Sequence, residues 1–431
     1  MATVLKTPAT PLREPAELQL IERLVQSPAV ANAQRWLTRE RAWINEQHLQ
    51  LCRIPAPTFF EQKRAEWFRC QLASFGWNAG VDRAGNVVAT FGARDNQRAV
   101  VLSAHLDTVF APERPEQIYY APDGRLVGPG TSDNGSGLAA ILAIARMIAE
   151  TTELHQLGSS LRLVANVGEE GEGNLSGMRY LCQHAREVAN VEAFIVIDGP
   201  SVDHVTAQAL ASRRYEVILS GPGGHSWNDH GIPNPVHVLG DVISYFVRSA
   251  EEHGCGDRKS TCSFNFSVIE GGTSINSIPS CARAKLDVRS EDAAVLEDFS
   301  NLLSATVERA LEHANLGLKN GRVTGKIKEL GSRPGGKLAP DAPLLQLVRA
   351  VDSHLNVRSR VDCASTDANV PLAMKLPAVS IGAGGRGGGA HTTSEWYQPE
   401  GRELGLKRIL LILAALYESG LAGAVTRSPQ A

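Results

Sequence analysis

The chain has 431 residues, 43% of them hydrophobic and 21% charged, which supplies a sizeable core and suits two domains better than one. A formal net charge of −3 with no basic run argues against a nucleic-acid surface, and the late apolar run from Ile409 to Tyr417 is far too short to span a bilayer. Seven scattered cysteines, none in a C-x-x-C pair, fit free thiols in a reducing compartment, so a cytoplasmic protein is expected.

The first fourteen residues predict no element and carry no apolar core of a secretory signal. Helical spacing of Leu, Ile and Trp follows over Glu17 to Val25 and Gln34 to Cys52, is broken by Pro55-Ala56-Pro57-Thr58, and resumes from Glu61 to Phe75. Gly85-Asn86 marks a turn before a short strand over Val87 to Phe91. Val100 to Asp107, reading VVLSAHLD, is a buried strand that ends in a histidine and an acid. Gly128-Pro129-Gly130 then leads to Asp133, and Gly135 to Glu150 is a strongly apolar helix. Leu161 to Val167 is a buried strand that ends in Gly168-Glu169-Glu170-Gly171, and Phe194 to Ile197 is another that ends in Asp198-Gly199-Pro200. Strands alternating with helices predict an α/β sheet covered on both faces.

Near residue 211 the pattern changes. Strand Arg214 to Ser220, helix Pro235 to Glu251, strands Ser263 to Glu270 and Ala282 to Arg289, helix Glu291 to His313 and strand Arg322 to Leu330 follow the split βαβ order. The α/β character returns with helix Pro343 to Leu355, strand Ala378 to Gly382 and a helix from Arg402 to Gly420. Residues 1–210 and 335–431 therefore read as one domain, and residues 211–334 as a small ferredoxin-like insertion.

His105 with Asp107, Asp133, Glu169 with Glu170, Asp198 and His391 all fall at strand ends or adjoining turns in an otherwise apolar setting. An open α/β sheet gathers its ligands outside the carboxyl ends of its strands, which puts these groups on one rim. Carboxylates converging there repel one another unless cations balance them. Two histidines and three carboxylates suit two divalent ions bridged by Asp133, with zinc favoured and manganese or cobalt as alternatives. In the Glu169-Glu170 doublet one carboxylate can ligate while its neighbour stays free to take a proton from water.

The segments SAHLDTV, GPGTSDNGSGLAA, GEEGEGNLSG, VIDGP, GGHSW and GGGAHTTSEW, in this order, resemble the co-catalytic zinc exopeptidases and aminoacylases, a family that includes peptidase T, carboxypeptidase G and succinyl-diaminopimelate desuccinylase. The resemblance runs over nearly the whole chain after residue 45 and feels nearest to peptidase T-like enzymes. It implies a three-layer α/β/α zinc-binding catalytic domain with an inserted ferredoxin-like domain used for dimerisation or as a lid, and hence a homodimer. It assigns His105 and Asp198 to one metal, Glu170 and His391 to the other, and Asp133 to both. Glu169 becomes the general base, and Asp107 orients His105. His225 in GGHS matches a histidine that reaches a partner subunit's active site and steadies the oxyanion. Asn276 in TSINSIP, Arg289 in LDVRS and, more weakly, Arg386 in GAGGRGGG match substrate-binding positions. The family often has a cis peptide after the bridging Asp, although Asp133-Asn134-Gly135 departs from its usual sequence there.

The expected activity is hydrolysis of amide bonds in short peptides, as an aminopeptidase or tripeptidase, because Asp at position 198 tends in this family to mark di- and tripeptidases. A deacylase or carbamoylase of N-substituted amino acids on the same scaffold is the alternative enzyme. A catalytically silent binding protein is the alternative of another class.

Overall fold

The structure is a computed structural model that describes residues 16–92, 98–184, 190–252, 255, 261–318 and 321–420. The loose N-terminus expected over residues 1–14 lies outside them.

A mixed sheet forms the middle layer. Its strands run in the order Asn78–Val81, Val87–Thr90, Leu161–Asn166, Ala99–His105, Val191–Ile197, Ala378–Ile381, His204–Ala209 and Gly336–Lys337, with Arg360–Ala364 also beside His204–Ala209. The four central strands, from Leu161–Asn166 to Ala378–Ile381, are mutually parallel. Parallel strands are buried on both faces, which is why these segments are almost wholly apolar. In Ala99–His105, Val100, Leu102 and Ala104 face the larger core, with the helices at Gly135–Glu150, Pro343–His354 and Arg402–Ser419. Val101 faces the other way, towards Met178, Leu181 and Cys182 of the helix Ser176–Gln183. The chain is therefore a three-layer α/β/α unit, as expected.

A second, four-stranded sheet, in the order Cys262–Gly271, Cys281–Ser290, Ala211–Ser220, Thr324–Arg333, carries the helices Pro235–Glu252 and Ala293–Asn315. Val217, Leu219, Val242, Phe246, Leu286 and Leu303 belong to its own core, which draws only on residues 211–323. All of its neighbouring strands are antiparallel.

Several details differ from the sequence reading, among them strands at Asn78–Val81 and Gly336–Lys337 and a helix at Ser176–Gln183. The helix expected over Gln34 to Cys52 is two helices, Pro28–Arg39 and Arg41–Cys52, because Glu40 leaves helical geometry at φ −85° and ψ 15°. His204–Ala209 and Arg360–Ala364 are additional strands of the main sheet. A small sheet of Tyr119–Tyr120, Leu126–Val127, Trp396–Gln398 and Arg386–Gly388 is also new.

The helix Gly135–Glu150 is buried nearly all round and starts beneath the rim residue Asp133. Asn134 caps it by accepting from the Gly137 amide at 3.1 Å and donates to the Ile197 carbonyl at 2.7 Å. Gly137 allows this approach, since a Cβ there would lie 2.4 Å from Asn134 Oδ1 and 2.9 Å from the Ile197 oxygen. Under the same loop, His48 is fully buried. Its Nε2 donates to the Thr131 carbonyl at 2.7 Å and its Nδ1 accepts from Arg402 at 2.6 Å.

Burial, reinforced by the Arg402 guanidinium, holds the His48 ring well below its ordinary value of 6.5. The unfolded chain therefore binds a proton below pH 6.5 that the folded chain refuses. This group should remove about 1.4 kcal/mol of stability for each pH unit of acidification below that point, and nothing above it. Denaturant titrations at pH 7.5 and 5.5 check this. The drop in unfolding free energy should be smaller in His48→Gln, whose amide keeps one donor and one acceptor without a titrating proton. An equal drop in both proteins would remove His48 from the acid response.

Candidate metal centre

The residues that the sequence places on one rim meet in space. His105 ends its strand, and its Nδ1 lies 3.0 Å from the Asp107 carbonyl oxygen, while its Nε2 points into the cleft. That Nε2 lies 3.1 Å from Asp133 Oδ1 and 3.8 Å from Asp198 Oδ1. The other oxygen of Asp133 lies 3.2 Å from His391 Nε2, which is also 3.0 Å from Glu170 Oε1. One carboxylate thus reaches both histidines, and each histidine keeps a further carboxylate of its own.

Donor atoms of His105, Asp133 and Asp198 lie within 4.8 Å of one another, as do those of Asp133, Glu170 and His391. These two sets share Asp133. A third set joins His105 with Glu169 and Glu170. The charges point the same way. Burial opposes a charged His105, but Asp107, Asp133 and Asp198 outweigh it and hold the ring well above its ordinary pKa. Hydrogen bonds that Asp133 and Glu170 accept from the ring raise His391 to about 10. Burial opposes ionisation of Asp133, yet the two histidines keep its pKa well below the usual range. The carboxylates thus favour positive charge at this point, and mixed imidazole and carboxylate donors suit zinc and related divalent ions. The residues present fit a pair of metal ions.

Asp107 meets the His105 ring with both its main chain and its carboxylate, and does more besides. The nearer partner of Nδ1 is the Asp107 main-chain oxygen, and Oδ1 stands 3.6 Å away. The buried carboxylate accepts from the amides of Glu169 at 3.0 Å and Glu170 at 2.9 Å and from the Thr58 hydroxyl at 2.9 Å. It therefore orients the glutamate doublet as well as the histidine. The turn that delivers the doublet needs glycine: Gly168 has φ +63°, and a Cβ there would sit 2.2 Å from Ser176 Oγ. Glu169 is buried, and burial raises its pKa well above the ordinary carboxylate value despite the nearby Arg333 and His105.

A cavity of about 440 Å³ opens over these groups, lined by Asp133, Glu169, Glu170, Asp198 and His391 together with Arg214, Arg289 and Arg333. Arg289 donates from Nε to Asp287 at 2.8 Å, and Arg214 donates to the same carboxylate at 3.0 Å. The structure does not bring the other sequence-selected residues to this cavity. His225 and Asn276 sit together on a short ladder of the second sheet's unit, where His225 faces Ser277 and the Ser226 amide donates to the Asn276 carbonyl at 3.0 Å. Both are exposed. Arg386 is also exposed, 3.4 Å from Glu400. The neighbouring glycines make room for the chain itself: a Cβ on Gly382 would sit 1.9 Å from the Ser201 oxygen, and one on Gly385 would sit 2.5 Å from Tyr397 Oη.

Two contributors had no distinguishing local pattern. Glu395, in the segment after His391, is buried and accepts from the amides of Gly130 at 2.8 Å, Ser132 at 2.7 Å and Asp133 at 2.8 Å. It clamps the loop that carries Asp133, whose following peptide bond to Asn134 is cis, as the resemblance implied. Arg333, the last residue of the second sheet's edge strand, reaches Glu169.

Residues 101–415 match the family model described as Peptidase family M20/M25/M40. Succinyl-diaminopimelate desuccinylase of Corynebacterium glutamicum is 25% identical over 341 residues, covering 78% of this chain and 86% of that enzyme. Cytosol non-specific dipeptidase of Escherichia coli is 28% identical over 293 residues, and the match spans 61% of this chain but only 56% of that enzyme. Among solved structures, a tripeptidase from Staphylococcus aureus superposes with a TM-score of 0.71 at 18% identity, covering 88% of this chain and 99% of that one.

Proposed function

We propose that this chain, a metal-dependent hydrolase that belongs to peptidase family M20/M25/M40, removes residues from the amino end of short peptides. The observation that carries the reading is the Asp133 carboxylate, which spans His105 and His391 at 3.1 and 3.2 Å, beside the buried Glu169 carboxylate that accepts from Arg333. Asp rather than Glu at position 198, beside His105, tends in this family to mark di- and tripeptidases, and a dipeptidase and a tripeptidase are among the similar proteins. The desuccinylase relative supports N-acyl amino acids as the second substrate class.

His105 and Asp198 would hold one ion, Glu170 and His391 the other, and Asp133 both; zinc suits the donor set, with manganese or cobalt as substitutes. Bound ions supply Lewis acidity towards the scissile carbonyl and towards water. The chain supplies the rest. Glu169, buried at the cavity wall, takes a proton from the attacking water at its carboxylate and delivers it to the leaving nitrogen. Asp107 holds the amides of Glu169 and Glu170 and so fixes the distance between base and ligand. Arg289 offers guanidinium protons to the carboxylate end of a bound peptide. Arg386, exposed and beside Glu400, meets substrate only if the cavity extends to it on binding.

Residues 211–334 serve as an inserted lid and dimerisation domain. The edge strand Cys262–Gly271 is exposed along much of its length and suits pairing with a second copy. His225 and Asn276 then act on the partner's cavity. The scattered cysteines, none in a C-x-x-C pair, accord with a cytoplasmic location, and no described helix is long and apolar enough to cross a membrane.

The deciding experiment is a panel of di- and tripeptides, each with a free and an acylated amino terminus, assayed with zinc, manganese and cobalt after chelation. Chelated enzyme should be inactive and each active metal should restore turnover. Free-amine peptides should be cleaved and their acylated forms spared. Cleavage of the acyl group alone would move the chain to the deacylases. Full activity in demonstrably metal-free protein would sink the mechanism.

A further inference from the structure

Glu169 and Glu170 are chemically identical neighbours, and both carboxylates lie close enough to His105 to serve as ligands. A free carboxylate so near two divalent ions would bind them, because the Coulomb attraction in a buried site exceeds what a flexible side chain loses by ordering. Something has to keep one of the pair out. Glu170 has its own partner, His391, 3.0 Å away on the cavity's open side. Glu169 is held instead by Arg333. Nη1 of Arg333 donates to Glu169 Oε1 at 2.8 Å and to Ser365 Oγ at 2.9 Å, and Nη2 donates to the Glu169 main-chain oxygen. One guanidinium thus grips both the backbone and the carboxylate of the same residue. It is only 7% exposed, whereas Arg289 and Arg214 in the same cavity turn their Nε atoms to Asp287 and leave the glutamate doublet's carboxylates alone.

The pair contrasts with the buried Arg408–Asp352 bridge, which Ser359 completes and which does not line this cavity. Arg333 instead stands on the last residue of the inserted sheet's edge strand, and its partner's carboxylate lines the cavity.

We propose that Arg333 is the positioning residue that separates the roles of the doublet: it holds the Glu169 carboxylate out of the metal coordination shell and so keeps it available as a base. The inference rests on the metal-dependent reading above. It concerns the geometry of Glu169 and not whether the chain binds metal.

Cobalt(II) is the probe, because its visible absorption responds to the number and kind of its ligands. Arg333→Met, loaded with cobalt, should retain the wild-type cobalt content and hold it at least as tightly against a chelator, yet show an altered spectrum as Glu169 joins the shell. Its kcat should fall roughly ten- to a hundredfold, the usual effect of removing a group behind the ligands, with KM little changed. Arg333→Lys, which keeps the charge, should recover part of the turnover and the wild-type spectrum. In the Glu169→Gln background the substitution should change neither spectrum nor turnover further, since the group it acts through is gone. Should Arg333→Met not fold, Arg333→Gln gives the same reading with a donor retained. An unchanged spectrum, loss of cobalt, or a further drop in the Glu169→Gln background would overturn the proposal. Glu169→Gln with full turnover would instead overturn the base role itself, so the two failures are distinguishable.

Discussion

Glu169→Gln should leave both metal ions bound while turnover falls by roughly two to four orders of magnitude, the usual contribution of general acid–base help. Gln keeps the size of the side chain and one acceptor oxygen towards Arg333, which donates to Glu169 Oε1 at 2.8 Å, so the wall of the cavity should stand. What is lost is the oxygen's ability to hold a proton. Glu170→Gln changes an atom 3.0 Å from His391 and should weaken one metal site. Its activity should recover partly when metal is supplied in excess, and that of Glu169→Gln should not. Metal content by elemental analysis beside kcat separates the two. The opposite pattern, metal lost with Glu169→Gln and kept with Glu170→Gln, would mean the roles are exchanged.

Most of what carries this prediction was legible in the sequence, because burial and periodicity write the central strands plainly. VVLSAHLD and LRLVAN have no polar residue that a parallel strand inside three layers could not absorb, and each ends where its chemistry begins. The second, four-stranded sheet was equally plain from alternating strands such as Cys281–Ser290, in which Ala282, Ala284, Leu286 and Val288 face inward. The strands that escaped are those whose partners are distant. HVTAQA over His204–Ala209 carries little apolar pattern and is a strand because residues 360–364 and 336–337 pair with it. Leu126–Val127 owes its two residues of strand to Trp396 and Tyr397, far along the chain. Arg333 and Glu395 are invisible for the same reason: a buried charge is defined by the group it meets, and Glu169 lies 164 residues from Arg333. Asp107 shows the limit from the other side. Its residue type and spacing suggested a contact with the imidazole, which stands at 3.6 Å, but not the two amides of the doublet, which meet its carboxylate only once the strands are aligned.

Mixing two inactive variants should restore activity if His225 serves the neighbouring subunit. In one chain His225 is exposed, its backbone amide donates to Asp229 at 2.7 Å, and it does not line the cavity that holds Glu169. Its ring accepts from the amides of Trp227 at 3.2 Å and Asn228 at 3.3 Å through Nδ1, which fixes the proton on Nε2 and aims a donor outwards. A donor so held, on an inserted unit with an exposed edge strand, suits a site assembled from two copies. His225→Ala should then lose turnover by roughly two to three orders of magnitude, the usual effect of removing one oxyanion donor, with metal content intact. Neither His225→Ala nor Glu169→Gln should work alone. A hybrid dimer of the two has one site with both defects and one site with none, so random mixing should return about a quarter of the wild-type activity. That fraction follows because half of the dimers are hybrids and each carries one of two sites intact. Subunits exchanged by mild denaturation and checked by mass for hybrid content provide the measurement. Confirmed hybrids without activity would defeat the trans role. So would a fully active monomer in sedimentation, which would leave His225 to its own chain after closure of the inserted domain.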